Sequence, residues 1–221
     1  MEKASKPRSW KQNPEAVRSD ILRVARAEFA RRGLSGTRIE DIAAGTKTSK
    51  RMIFYYFGDK QSLYEAVLED CYSEVRAGEA ELDLEGLPPE QALRRLIEFT
   101  FDHHRSNPEF IRLVMIENVH EARHMEKMKR LHDQNMRAIG VVERICQAGR
   151  ESGVFRDDVS ALALHWQISA LSVFNVANRA TFSTNFGTTL FEEDGQDLLR
   201  RTAVRGILCS VLARPESFDP T

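Results

Sequence analysis

Two stretches of the 221-residue chain carry side chains whose types and spacing could do chemistry. The first runs through Lys47, Lys50, Arg51, Phe54, Tyr55, Tyr56 and Lys60, basic groups interleaved with aromatics. Such a mixture suits a DNA backbone and groove: ammonium and phenol groups reach phosphates, a guanidinium reads a guanine edge, and a phenyl ring touches a thymine methyl. A solvated charged face is the plain alternative. The second stretch, His120-Glu121-Ala122-Arg123-His124, spells HExxH, in which two histidines one helical turn apart bind zinc and the glutamate activates water. Glu117, one turn earlier, adds a carboxylate, and His103-His104 makes a weaker suggestion of the same kind. Innocent copies of so short a motif are common, and no strand-rich cleft or clear third ligand accompanies this one. A metal-binding helical protein or zinc hydrolase is therefore the alternative, and the expectation is a chain without catalytic residues, resident metal or cofactor.

The elements that must position these groups are helical. Apolar residues recur with the helical period, Gly and Pro fall between the periodic segments, and no alternating run demands a sheet. Asn13-Pro14 is an N-cap followed by Pro at the first helical position, with Val17, Ile21, Leu22, Ala25 and Phe29 as one stripe up to Gly33. Thr37-x-x-Glu40 reads as a capping box opening a second helix, Ser49 caps a third that runs through Phe57, and Asp59 caps a fourth running towards Ala80. Residues 83–89 form a linker. Five further helices are expected, roughly over 90–105, 108–124, 126–152, 159–181 and 195–213, to give an all-α protein of about nine helices.

Composition fits. The chain is 42% apolar and 29% charged, ordinary for a globular protein, and its longest apolar stretch is broken by His165, Gln167 and Asn175, so no membrane span is expected. Three widely spaced cysteines and a basic N-terminus without an apolar signal region suggest a cytoplasmic protein. The net charge of −1 hides an asymmetry: residues 1–64 hold 14 Lys+Arg against 7 Asp+Glu, leaving 18 against 26 in the remainder. A +7 head on a −8 body suits a polyanion-binding module joined to something with another task. Lys3, Lys6, Arg8 and Lys11 form a basic arm that either follows the DNA backbone or keeps the chain soluble.

The string from Ile39 to Leu63, IEDIAAGTKTSKRMIFYYFGDKQSL, closely resembles the DNA-binding region of the TetR family of one-component bacterial transcriptional regulators. The resemblance is carried by Gly33, Thr37, Ile42-Ala43, Ser49-Lys50, the aromatic run ending in Phe57, Lys60 and Leu63. Lys47 stands where the family usually has Gly, Arg51-Met52 where it often has Gly-Thr, and Phe54 where Tyr is common, which leaves base preference open. The resemblance implies an N-terminal three-helix helix-turn-helix DNA-binding domain over residues 1–64 and a C-terminal helical effector-binding and dimerisation domain over residues 65–221. The third helix would lie in the major groove with Lys50 and Arg51 nearest the bases. Lys60, at a helix N-terminus, would clamp a phosphate. Tyr55 and Tyr56 would donate hydroxyl bonds to phosphate, unless one of them packs inside the domain instead, and Thr37 is a cap or a phosphate contact.

For the body the resemblance implies a homodimer on double-stranded palindromic operator DNA and a small-molecule effector that releases it. The expected interface comprises Trp166, Leu198, Ala203, Val204, Gly206, Ile207, Leu208, Ser210, Val211 and Leu212, with Leu171 and Val173 adding to it. The expected effector pocket draws on Phe99, Phe101, His103, Phe110, Met115, Asn118, Phe174, Asn175, Asn178 and Phe182. There the amides would orient a ligand, although each amide is also a candidate core group bonded within the chain. Repression is the expected outcome of binding.

Overall fold

The computed structural model describes residues 13–215. The basic arm of Lys3, Lys6, Arg8 and Lys11 lies outside the described residues. The architecture is all-helical: α1 (Pro14–Gly36), α2 (Ile39–Gly45), α3 (Lys50–Phe57), α4 (Lys60–Ala80), α5 (Pro89–Ser106), α6 (Pro108–Val119), α7 (Lys129–Glu151), α8 (Ala161–Ala177), α9 (Arg179–Phe186) and α10 (Glu193–Val211), with a short 3-10 turn at Thr189–Phe191. The described residues contain no strand beyond one antiparallel bridge between Phe155 and Leu212.

The chain divides into two compact units, and the division is not sequential. The first comprises the described residues up to Cys71 together with Arg112–Met128, and the second Tyr72–Ile111 together with the described residues from Lys129 onward. The boundaries thus fall inside α4 and α6 rather than after Tyr64, because a long helix carries its stripe past any linker that composition could mark.

In the first unit α1 opens as expected, with the Asn13 side chain accepting from the Ala16 N–H at 3.1 Å and Pro14 in the first turn. Gly33 breaks it with φ 67° and ψ 178°, backbone that a side chain resists, so the last residues before α2 form a separate short turn. Phe29, Ile21, Ile42, Ile53, Leu63, Tyr64 and Leu68 are fully buried and hold α1 to α4 together. Gly45 lets α2 approach α1, since a Cβ there would stand 2.7 Å from Val24 Cγ1. The expected Thr37 capping box is corrected. The residue in the N-cap position of α2 is Arg38, which makes no side-chain cap bond, and the buried Thr37 hydroxyl instead donates backwards to the carbonyls of Gly33 at 2.8 Å and Glu28 at 3.1 Å.

In the second unit the core is shared by α5, α7, α8 and α10, with Leu93, Ile97, Cys146, Phe155, Leu164, Ile168, Ile207 and Leu208 at its centre. Two helices end sooner than their periodicity suggests. α6 stops at Val119 and α8 at Ala177, where Asn178 takes φ −100° and ψ 3° and passes the chain into α9, a tenth helix in a segment expected to be mostly loop. The 3-10 turn occupies part of the same segment.

Candidate functional site

Helix α3 is short, and only Ile53 and Phe57 anchor it in the core. The remaining side chains are left on the outside or at the edge. Ser49 takes the extended N-cap conformation expected of it, without a side-chain cap bond. Arg51 is exposed and has no ion pair or hydrogen bond among the described residues, while Tyr55, one turn further on, is 77% exposed. Tyr56 is half-buried, and its ring stands edge-on to Tyr55 at 5.4 Å, which settles which phenol faces outward. Phe54 is 40% exposed and Lys50 lies over its ring at 5.7 Å. Lys50 also pairs with Glu40 of α2, so one of the expected base contacts is already engaged.

The frame behind α3 is polar and local. The Lys47 N–H donates to Asp20 of α1 at 3.0 Å. Burial pushes the Asp20 carboxyl up, but that bond and Arg23 outweigh it and hold it below its ordinary value. Asp59 caps α4 as expected, accepting from the Ser62 N–H at 2.7 Å, a bond that lowers its carboxyl pKa. Lys60 Nζ donates to the Thr37 carbonyl at 3.1 Å, tying the start of α4 to the turn before α2. An ammonium carries three donors, so this tether leaves others for phosphate. Thr37 has no such surplus: its hydroxyl is buried and spent on two carbonyls, which corrects its expected phosphate contact.

The HExxH stretch is also corrected. The motif needs a helix, whereas α6 has already ended and both Glu121 and Ala122 have positive φ, 57° and 55°, so the two histidines do not project one turn apart. Their rings stand nearly perpendicular at 6.2 Å. His124 turns inward, its Nδ1 2.9 Å from Glu117 Oε1, and the Tyr64 hydroxyl donates to the same oxygen at 2.6 Å. Glu117 and Tyr64 are fully buried, and burial followed by the nearby carboxylate pushes the Tyr64 phenol above its ordinary value. Among the described residues no group of three or more His, Cys, Asp or Glu is placed to hold a metal ion. The stretch is a polar knot inside the first unit, and nothing in the sequence marks Tyr64 as its third member.

The expected effector residues do not form one site. Phe99, His103 and Phe110 come together in the second unit, with ring separations of 5.6 Å between Phe99 and His103 and 6.4 Å between His103 and Phe110. Tyr72 and His104 join them edge-on to Phe110 at 5.0 and 5.7 Å. Phe101 is core. Close by, Arg76 and Glu79 form an ion pair of 2.7 Å whose burial lowers the guanidinium and raises the carboxyl. Burial first, then the charges of His103, Arg76 and His165, push His104 down to about 3, so it is neutral at pH 7, and His165 is lowered by the same two causes, burial and Arg76. Met115 and Asn118 are exposed on the part of α6 that belongs to the first unit, Asn118 donating back to the Val114 carbonyl at 2.9 Å. Phe174 is 54% exposed, Asn178 is the junction between α8 and α9, and Phe182 meets Phe186 at 4.8 Å with tilted rings. Asn175 is a core amide in reciprocal bonds with Gln196 at 2.9 and 3.0 Å. A cavity of about 430 Å3 opens elsewhere in the unit, against Glu79, Leu84, Leu87, Val141 and Ile145, and none of the expected residues lines it.

The expected dimer stripe likewise divides. Ala203, Val204, Ile207, Leu208, Val211 and Leu212 are buried in the chain's own core, each large one contributing about 1.5–3 kcal/mol there, so they are corrected from interface to core. The outward groups are Trp166 at 72%, Leu171, Leu198 and Gly206, joined by Leu162 and Phe174. Leu162, Trp166 and Phe174 recur on one side of α8. Ser210 bonds Gln167 of α8 at 3.2 Å.

A short outward-facing helix carrying Arg51 and Tyr55, held by α1, α2 and α4 and joined to a second helical unit, defines a helix-turn-helix regulator of transcription. Residues 21–67 match the family described as bacterial regulatory proteins, tetR family, and residues 89–207 match the tetracyclin repressor-like C-terminal domain. The chain belongs to the TetR family of bacterial transcriptional regulators. It is 36% identical over 200 residues to the HTH-type transcriptional repressor NicS of Pseudomonas putida, covering 89% of this chain and 94% of that protein. It is 30% identical over 164 residues to the HTH-type transcriptional repressor SCO4008 of Streptomyces coelicolor, covering 72% and 78% respectively. A TetR-family regulator from Marinobacter aquaeolei shares the fold, with a TM-score of 0.70 at 18% identity over 91% of this chain and 98% of that one. These relatives are regulators, not enzymes, and the hydrolase alternative is set aside. No helix among the described residues is long and apolar enough to cross a membrane.

Proposed function

We propose that the protein is a cytoplasmic, ligand-responsive transcriptional repressor that binds palindromic operator DNA as a homodimer and is released by a small-molecule effector. The observation that carries it is α3: Arg51 and Tyr55 stand exposed on one side of a helix whose other side is locked into the core. In the major groove Arg51 is positioned for a bidentate bond to guanine, Phe54 for a thymine methyl, and Tyr55, Lys47 and Lys60 for the backbone. One such reader makes too few contacts for tight binding, and two on a symmetric dimer read two half-sites a turn or more apart. The exposed apolar side of α8 with Leu198 of α10 supports that dimer. The repressor name of the Pseudomonas relative, which is matched along nearly its whole length, supports the sign of regulation.

For the effector, the aromatic and imidazole cluster of Phe99, His103, His104 and Phe110 beside the Arg76–Glu79 pair is the best-supported place, because it combines ring faces with buried polar groups. Selecting bound sequences from a random duplex pool tests DNA binding. A palindromic consensus is expected, and Arg51→Ala should lose about ten- to a hundredfold in discrimination at one guanine, since a bidentate contact is worth about 1–3 kcal/mol. A protein that binds no duplex even at low salt overturns the proposal. A metabolite screen tests the rest: an effector must both raise the melting temperature and release DNA, because a ligand that prefers one state shifts both equilibria.

A further inference from the structure

We propose that the outward face of α10 carries a charge code that fixes the antiparallel register of a second copy of this chain and selects it over other partners. The inference rests on the homodimer proposed above. Asp194, Leu198, Arg201 and Arg205 follow one another at spacings of four, three and four, the pattern of a single helix face. Leu198 is half exposed, and Asp194, Arg201 and Arg205 are exposed and make no ion pair among the described residues. The flank of the same helix behaves differently: Arg200 is ion-paired within the chain with Asp102 at 3.1 Å and Glu98 at 3.6 Å. The helix dipole favours acid near the start, which accounts for Glu193 and Asp194. It does not reach Arg201 or Arg205, both more than a turn from the end at Val211.

A second observation lies beside this face. A groove of about 230 Å3 between α5 and α10 is lined by Arg94, Arg201 and Arg205, with Glu98 the single carboxylate among them and Leu198 at its edge. Of these guanidiniums, Arg201 and Arg205 make no ion pair among the described residues and offer charge to an acidic side chain. Two acidic side chains are exposed near the start of this face, Asp194 and Asp197; Asp197 lies one turn before Arg201 on its own helix, which leaves Asp194 to reach across. A two-fold axis crossing α10 midway between positions 199 and 200 brings the two copies together antiparallel. Each Asp194 then faces the partner's Arg205, and each Leu198 faces the stem of the partner's Arg201. A two-fold contact repeats each pair, so one code is read twice. A parallel pairing sets Asp194 on Asp194 and Arg205 on Arg205, and repulsion rejects it. The uncharged strip of Leu162, Trp166 and Phe174 on α8 supplies area without direction, so the choice of partner falls to α10.

The test is charge exchange in the full chain, read as the dimer dissociation constant by sedimentation. Asp194→Arg alone and Arg205→Asp alone are each expected to weaken dimerisation about tenfold or more, since each places two like-charge contacts in the interface. An equimolar mixture of the two variants is expected to recover to within about threefold of the unsubstituted protein, because opposite charges then meet at both contacts. If the single variants dimerise like the unsubstituted chain, or if the mixture is no tighter than either variant alone, the register is wrong although the homodimer stands. If the unsubstituted protein is monomeric at micromolar concentration, it is the homodimer reading that fails. Both positions are exposed, and Asp194→Lys with Arg205→Glu repeats the exchange should a first variant fail to fold.

Discussion

The two units bury polar side chains in opposite ways. In the first, a carboxylate at the end of α6 is closed by one group distant in the chain and one nearby: Tyr64 and His124 both meet one oxygen of Glu117, within 2.6 and 2.9 Å. In the second, the amides of Asn175 and Gln196 satisfy each other, and His104 is simply stripped of its proton by burial and neighbouring positive charge. A knot that gathers a discontinuous segment makes Arg112–Met128 part of the head that carries α3. In the second unit the partly buried Arg76–Glu79 pair stands beside the neutral His104. One unit spends buried polarity on holding itself together and shows Arg51, without an ion pair among the described residues, outside. The other keeps polarity within reach of ring faces.

The largest expected effect breaks the first of these arrangements. Glu117→Leu leaves the Tyr64 hydroxyl and His124 buried without their acceptor, and a loss of about 3 kcal/mol in urea unfolding is expected, against about 1 kcal/mol for Glu117→Gln, which keeps an acceptor. Equal losses for the two would show that shape, not hydrogen bonding, holds the segment. The second unit should respond to pH instead. His104 has a folded pKa of about 3 against about 6.5 in the unfolded chain, so between those values the unfolded state binds the extra proton. The stability it contributes is present above pH 6.5 and is lost as pH falls, by about 1.4 kcal/mol per pH unit across that window. His103, Arg76 and His165 are the charges that face it. His104→Gln should flatten the acid limb of the stability profile, and an unchanged limb would place its origin in another group.

How legible these regions were follows the same division. The short helices of the first unit were largely legible, Thr37 excepted, because their caps and turns lie within one run of chain and depend on neighbours a few positions away. Asn13, Ser49 and Asp59 stand in the capping positions that the sequence indicates. What escaped was whatever competing partners or local backbone conformation decide. Thr37 has the right spacing for a capping box, but two carbonyls upstream compete for its hydroxyl. The HExxH letters say nothing of the positive φ values at Glu121 and Ala122 that end their helical spacing. A broad stripe such as Val204, Ile207, Leu208 and Val211 shows that a helix face is buried, not whether its own chain or a partner buries it. The effector residues were chosen for type alone, so they scatter between core, helix junction and surface.

A smaller effect sharpens the interior of the second unit. Asn175→Ala removes one side of the reciprocal amide pair, while Gln196 keeps its bond to the Leu190 carbonyl at 2.8 Å, so a loss of about 1–2 kcal/mol is expected. The double replacement Asn175→Leu, Gln196→Leu should cost less than the sum of the two single losses, since neither amide is then left without the other, although the Leu190 carbonyl loses its donor. Additive losses in thermal unfolding would mean that the amides act separately and that the pair is not a unit.

The smallest expected effect returns to the reading face and should be a gain. Glu40 pairs with Lys50 beside the exposed side of α3, and the ammonium lowers its carboxyl below the ordinary value. Both side chains are exposed, so the pair does little for the fold. Against a duplex it matters more, because the carboxylate repels phosphate and holds an ammonium that could displace a counterion. Glu40→Gln is therefore expected to leave the melting temperature within about a degree, to raise affinity for any duplex by roughly threefold, and to steepen the salt dependence by about one released ion. The affinity should rise for operator and random sequence alike, so discrimination stays the same while binding strengthens. A gain confined to one sequence would instead place Lys50 at a base edge beside Arg51.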